Sequence, residues 1–116
     1  MSDANRREHP RFDISLAAAV TLDDGHEISC SARNLSQGGV GVRLAEPLSE
    51  GSSVEVDLFL VEEGIEDATT PTFSVTATVM WLAKVDERSF EAGLRFGALA
   101  PEPAQLLEHY LARLQA

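Results

Sequence analysis

Two short segments of this chain carry side chains whose types and spacing could do chemistry. Near the N terminus Arg6, Arg7 and Arg11 fall within six residues. A guanidinium offers a planar fork of donors that matches the oxygens of a phosphate and the O6/N7 edge of guanine, and its face can stack on a purine. The second segment is the turn Asn34-Leu35-Ser36-Gln37-Gly38-Gly39. There Asn34 can present a carbonyl to guanine N–H donors, and Ser36 can reach a phosphate or a base. Gly38 and Gly39 clear space, permit positive φ and expose backbone N–H groups. Together the segments suit an anionic guanine nucleotide. Taken singly, each has a plainer reading, as a solubilising tail and as a bulge-bearing hairpin.

The rest of the sequence offers little competing chemistry. His9, His26 and His109 fall in an arm, a turn and a helix, and no two have metal-ligand spacing. The 19 acidic residues mostly occupy outward strand positions or turns, where a soluble protein needs no special reason for them. Cys30 is the only cysteine, which excludes an internal disulfide and a thiolate metal cage. Neither enzymatic activity nor a resident metal or cofactor is expected.

Charge narrows the partners. A net charge of −10 and seven aromatic residues argue against general affinity for DNA, RNA or anionic lipid, because the long-range field repels them. A small β-barrel that binds single strands would also want aromatic and basic residues interleaved on a sheet face. An anion must instead be held by a local cluster. The first 11 residues sum to +1 while the other 105 sum to −11, so the arm is where that cluster would form. No signal-like or membrane-spanning apolar run is present, and the cytoplasm is the expected location.

The elements that must position these residues read as β-strands. Residues 1–11 hold no apolar anchor beyond Met1 and Ala4 and form a basic arm predicted to be flexible. Alternation then begins: Ile14, Leu16, Ala18, Val20 and Leu22 share one face. Asp23-Asp24-Gly25 is a hairpin turn. Ile28, Cys30, Ala32 and Leu35 are the inward candidates of the next strand, followed by Val40, Val42 and Leu44, and then by Val54, Val56, Leu58 and Leu60. Residues 62–71 form an acidic loop, Thr72 to Ala83 a β-branched strand, and Phe90, Ala92, Leu94 and Phe96 a last one. Trp81 suits the core or a barrel rim, with a ligand-facing position as the alternative.

Six strands in hairpin order predict an all-β fold with a C-terminal helix, a six-stranded antiparallel barrel over residues 12–100. The helix over 101–116 presents Leu106, Leu107, Tyr110, Leu111 and Leu114 on one side, to pack on the barrel or on a second copy in a homodimer.

The pairing of an RxxxR arm (Arg7 to Arg11, preceded by Arg6) with an NxSxxG turn (Asn34, Ser36, Gly39) resembles the PilZ domain family. The strand Phe90-Glu91-Ala92-Gly93-Leu94-Arg95-Phe96 is similar to that family's last strand. The resemblance runs from Arg6 to the terminal helix. It implies a six-stranded barrel that binds the bacterial second messenger cyclic di-GMP. By the same implication Arg7 and Arg11 grip guanine edges and phosphates, Asn34 and Ser36 read a guanine, and Gly39 permits the turn. Asn34 replaces the aspartate of many relatives, and Arg6 is the feature that accompanies two stacked ligand molecules.

The expected mechanism is an arm that folds over the ligand and changes the surface offered to an unidentified protein partner. The alternative is an interaction module of the same fold that works without nucleotide, through the helix face around Leu107 and Leu111.

Overall fold

The computed structural model describes residues 11–60 and 72–115. Arg6, Arg7, His9 and the acidic loop therefore lie outside the described residues. Six strands and one helix follow in order: β1 (Phe12–Thr21), β2 (Glu27–Leu35), β3 (Gly39–Leu44), β4 (Ser53–Phe59), β5 (Thr72–Asp86), β6 (Ser89–Phe96) and α1 (Pro101–Gln115). All pairings are antiparallel, and the sheet closes as β1-β2-β3-β6-β5-β4. Closure gives the strands partners on both sides and removes the open edges that invite aggregation.

The expected class of fold is the observed one, but the order is not a run of hairpins. β3 pairs with β6, and β4 pairs with β1. The segment 45–52 between β3 and β4 is too long for a tight hairpin, and Pro47 lacks the N–H a ladder would need. Buried Leu48 anchors this crossing, and Gly51, at φ 85°, donates its N–H to the Val79 carbonyl at 2.7 Å. The other positive φ among the described residues is Gly25, at 91°, in the β1–β2 turn.

Alternation builds the core where it was expected. Val54, Val56, Leu58 and Leu60 are buried, as are Ala92, Leu94 and Phe96. Phe73 meets Phe96 edge-to-face with ring centroids 5.3 Å apart. The helix adds Leu107, Tyr110 and Leu111 to the same cluster, with Leu106 and Leu114 packed against it. Leu107 is 1% exposed, so the apolar helix face is covered by its own barrel. Burying a leucine of this kind contributes about 1.5–3 kcal/mol.

Two bulges shift the alternation. Between β2 and β3 the register jumps from Ala32↔Val42 to Asn34↔Gly41, so Ala32 and Leu35 can both face inward. Between β5 and β6 it jumps from Val79↔Leu94 to Trp81↔Gly93. The inward set of β5 changes there from Ala77 and Val79 to Leu82, and Trp81 turns outward, 41% exposed. The core reading of Trp81 is thereby corrected. β5 also runs three residues beyond the expected end at Ala83, to Asp86.

Candidate ligand-binding site

The bulge in β2 places Asn34 on the outer face of the barrel, against Gly41 of β3. Arg11, the residue before β1, meets it there: Arg11 Nη1 donates to Asn34 Oδ1 at 2.7 Å. The last residue of the basic arm and the first of the turn motif, 23 positions apart in sequence, are thus one contact in space.

Ser36 organises the turn that follows. Its side chain is 5% exposed. The N–H groups of Gly38 and Gly39 both donate to Ser36 Oγ at 3.2 Å, and the Ser36 N–H donates to the Gly39 carbonyl at 2.9 Å. The Phe96 N–H donates to the Gly38 carbonyl at 2.9 Å, fastening the turn to β6.

Three expectations change as a result. The Gly38 and Gly39 N–H groups are satisfied inside the turn rather than presented to solvent. The Ser36 hydroxyl accepts from both of them, which makes it part of the frame of the turn. Nor does positive φ explain Gly39. Any Cβ there would overlap the backbone carbonyl oxygen of Leu94, so the glycine is required by the closeness of β3 to β6.

A row of positions crosses the outer face from this turn: Asn34 on β2, Gly41 on β3, Gly93 on β6 and Trp81 on β5. The two glycines form its floor. The Asn34 amide lies over Gly41, and the pyrrole side of the Trp81 indole lies so close over Gly93 that a Cβ there would overlap it. Two side chains with flat groups therefore lie over a strip of strand that has no side chains of its own.

Charge is unevenly distributed around the barrel. β2, β3, β5 and β6 carry Arg33, Arg43, Lys84 and Arg95 against three acidic residues, whereas β1 and β4 carry Asp13, Glu55 and Asp57 and no basic residue. The side that bears Asn34 and Trp81 is the one that can receive an anion despite the overall negative charge. A groove of ≈ 380 Å³ elsewhere, lined by Glu55, Asp57 and the segment 98–100, has the wrong sign for one.

Among the described residues no three His, Cys, Asp or Glu side chains converge as metal ligands. Burial pushes the Cys30 thiol up to about 11, which keeps it protonated and a poor nucleophile. His26 Nε2 lies 2.9 Å from Glu46 Oε1, a hydrogen bond that raises the histidine's pKa and ties the β1–β2 turn to the β3–β4 connection. No helix among the described residues is long and apolar enough to cross a membrane.

A family model described as the PilZ domain matches residues 5–113. The chain belongs to the PilZ domain family. Solved relatives share its architecture. The Bacillus subtilis inhibitor of motility MotI/DgrA superposes with a TM-score of 0.75 at 26% identity, over 95% of this chain and 51% of that one. YcgR from Escherichia coli in complex with c-di-GMP gives 0.74 at 21%, over 95% and 46%. The PilZ domain of YcgR with c-di-GMP gives 0.73 at 20%, over 95% and 92%. The chain thus spans about half the length of the first two relatives.

Within this PilZ domain the described motif residues Arg11, Asn34, Ser36, Gly38 and Gly39 gather at one end of the outer face. Gly41, Gly93 and Trp81 join them without belonging to either motif. The sequence signal for Gly41 and Gly93 was available: each interrupts an alternating strand at an outward position, where a glycine marks a close approach.

Proposed function

We propose that this PilZ domain is a receptor for cyclic di-GMP that acts as a non-enzymatic adaptor in the cytoplasm. The observation that carries the reading is the Arg11–Asn34 contact, because it joins the RxxxR and NxSxxG segments at one point on the barrel's outer face. The complexes of YcgR with c-di-GMP support the choice of ligand.

In this reading Arg11 and Asn34 meet a guanine and its neighbouring phosphate, and Arg7 supplies a second guanidinium. Ser36, Gly38 and Gly39 hold Asn34 in place from behind. Arg6 adds the charge that a second stacked ligand would need. Trp81, lying over Gly93, offers the exposed side of its indole to a guanine base. The occupied face then differs in shape and charge from the empty one, which is what a protein partner would sense.

Trp81 gives a direct test, since it is the only tryptophan. Its fluorescence is expected to change saturably as cyclic di-GMP is added. Base–aromatic stacking contributes about 1–3 kcal/mol, so Trp81→Ala should weaken binding roughly tenfold or more while the exposed position keeps the barrel stable. Unchanged fluorescence at saturation, together with an unchanged affinity in Trp81→Ala, removes the indole from the site.

A further inference from the structure

Gly41 lies outside both motifs, yet it sits beneath one of them. It faces Asn34 across β2 and Gly93 across β6. A Cβ at this position would stand 2.5 Å from Asn34 Nδ2 and 2.9 Å from both Cγ and Oδ1. The whole amide group therefore lies across the Gly41 backbone. Val40 and Val42, on either side of it in β3, are buried in the core and leave Gly41 on the outer face.

We propose that Gly41 is a positioning residue of the ligand site: the side chain it lacks lets the Asn34 amide lie flat on the sheet, with Oδ1 toward Arg11. This rests on the reading of the face as a cyclic di-GMP site. The arrangement sorts the two ends of the amide. Oδ1 accepts from Arg11 Nη1 at 2.7 Å, and Nδ2 remains a donor. A donor held there complements the O6 and N7 acceptors of a guanine edge. An aspartate in the same pose would have no donor to offer, so the bare floor matters most to a chain that carries asparagine.

A methyl group at position 41 would have to push Nδ2 out by about 1 Å and Oδ1 by about half as much to reach ordinary contact, which tips the amide off the sheet and lengthens its 2.7 Å bond to Arg11. The atom in the way belongs to a side chain, which can swing aside and leave the strand pairing in place. A loss of positioning is therefore expected with little loss of fold.

The test is a double-mutant cycle of Gly41→Ala and Asn34→Ala, titrated calorimetrically with cyclic di-GMP. It is read alongside the Asn34 side-chain amide signals in the ¹⁵N spectrum of the ligand-free protein. Gly41→Ala should weaken binding about tenfold in the native background and less than about twofold when Asn34 is already alanine. It should also shift the Asn34 amide signals before any ligand is added. Equal losses in both backgrounds, or unmoved Asn34 signals, overturn the proposal. Should Gly41→Ala fail to fold, rescue by Asn34→Ala supports it, and failure of both variants overturns it. A native protein that binds no cyclic di-GMP overturns the functional reading along with Gly41's role in it. Native binding with an indifferent Gly41→Ala overturns Gly41 alone.

Discussion

Replacing Arg11 with alanine is expected to lower the affinity for cyclic di-GMP by about a hundredfold or more, because a guanidinium fork makes two charge-assisted hydrogen bonds of roughly 1.5–3 kcal/mol each. The protein's net charge of −10 adds to that loss, because the long-range field does not help to hold an anion. Stability should barely change. Arg11 is exposed, and its described bond to Asn34 is also exposed, so the melting temperature should fall by no more than a few degrees. Calorimetric titration beside a thermal melt separates the two effects. Retained affinity in Arg11→Ala would remove Arg11 from the site, and retained affinity in Arg7→Ala as well would remove the arm.

Replacing Gly39 with alanine is expected to do the reverse, damaging the barrel first. The added methyl would overlap the carbonyl oxygen of Leu94, a backbone atom of β6 that cannot swing away. Relief requires β3 and β6 to move apart where Gly39↔Arg95 and Val40↔Leu94 pair, beside the buried side chains of Val40 and Leu94. Strain of this kind costs about 1–3 kcal/mol, and lost packing adds to it, so the melting temperature should drop on the order of 10 °C. Binding should suffer in consequence, because the Gly39 N–H and carbonyl both bond within the turn that carries Asn34. A melt indistinguishable from the native protein's would show that the sheet tolerates the methyl, and that Gly39 owes its place to something other than the β3–β6 approach. The contrast with Gly41 is instructive. Both glycines face a close neighbour, but one neighbour is backbone and the other a mobile amide.

These pairs of atoms also explain what the sequence could and could not reveal. Strand content was legible because Val54, Val56, Leu58 and Leu60 alternate cleanly with polar residues and a half-buried face leaves no freedom of register. The motif residues were legible because asparagine, serine and paired glycines between two apolar runs have no reason to be there as core. The roles within the motif were less so. Whether Ser36 Oγ faces a ligand or the N–H groups of Gly38 and Gly39 depends on the closing of the turn, which residue types leave open.

The bulges were invisible for a similar reason. A single extra residue at Met80 changes which side of β5 faces inward, so Trp81 reads as core by continued alternation and turns outward in fact. The order of strands depends on contacts between β3 and β6 and between β1 and β4, and no local pattern encodes those. Gly41 and Gly93 mark close approaches in the sequence, but what approaches them, an amide over one and an indole over the other, emerges only when the strands are laid side by side.

Calorimetric titration of the native protein with cyclic di-GMP tests directly whether this domain is a receptor. Saturable binding is expected with a dissociation constant of about 10 µM or tighter, near 7 kcal/mol of binding free energy, and with two ligands per chain if Arg6 supports a stacked pair. A flat titration at protein and ligand concentrations well above that constant would contradict it. The domain would then be an interaction module whose motif residues serve the barrel alone.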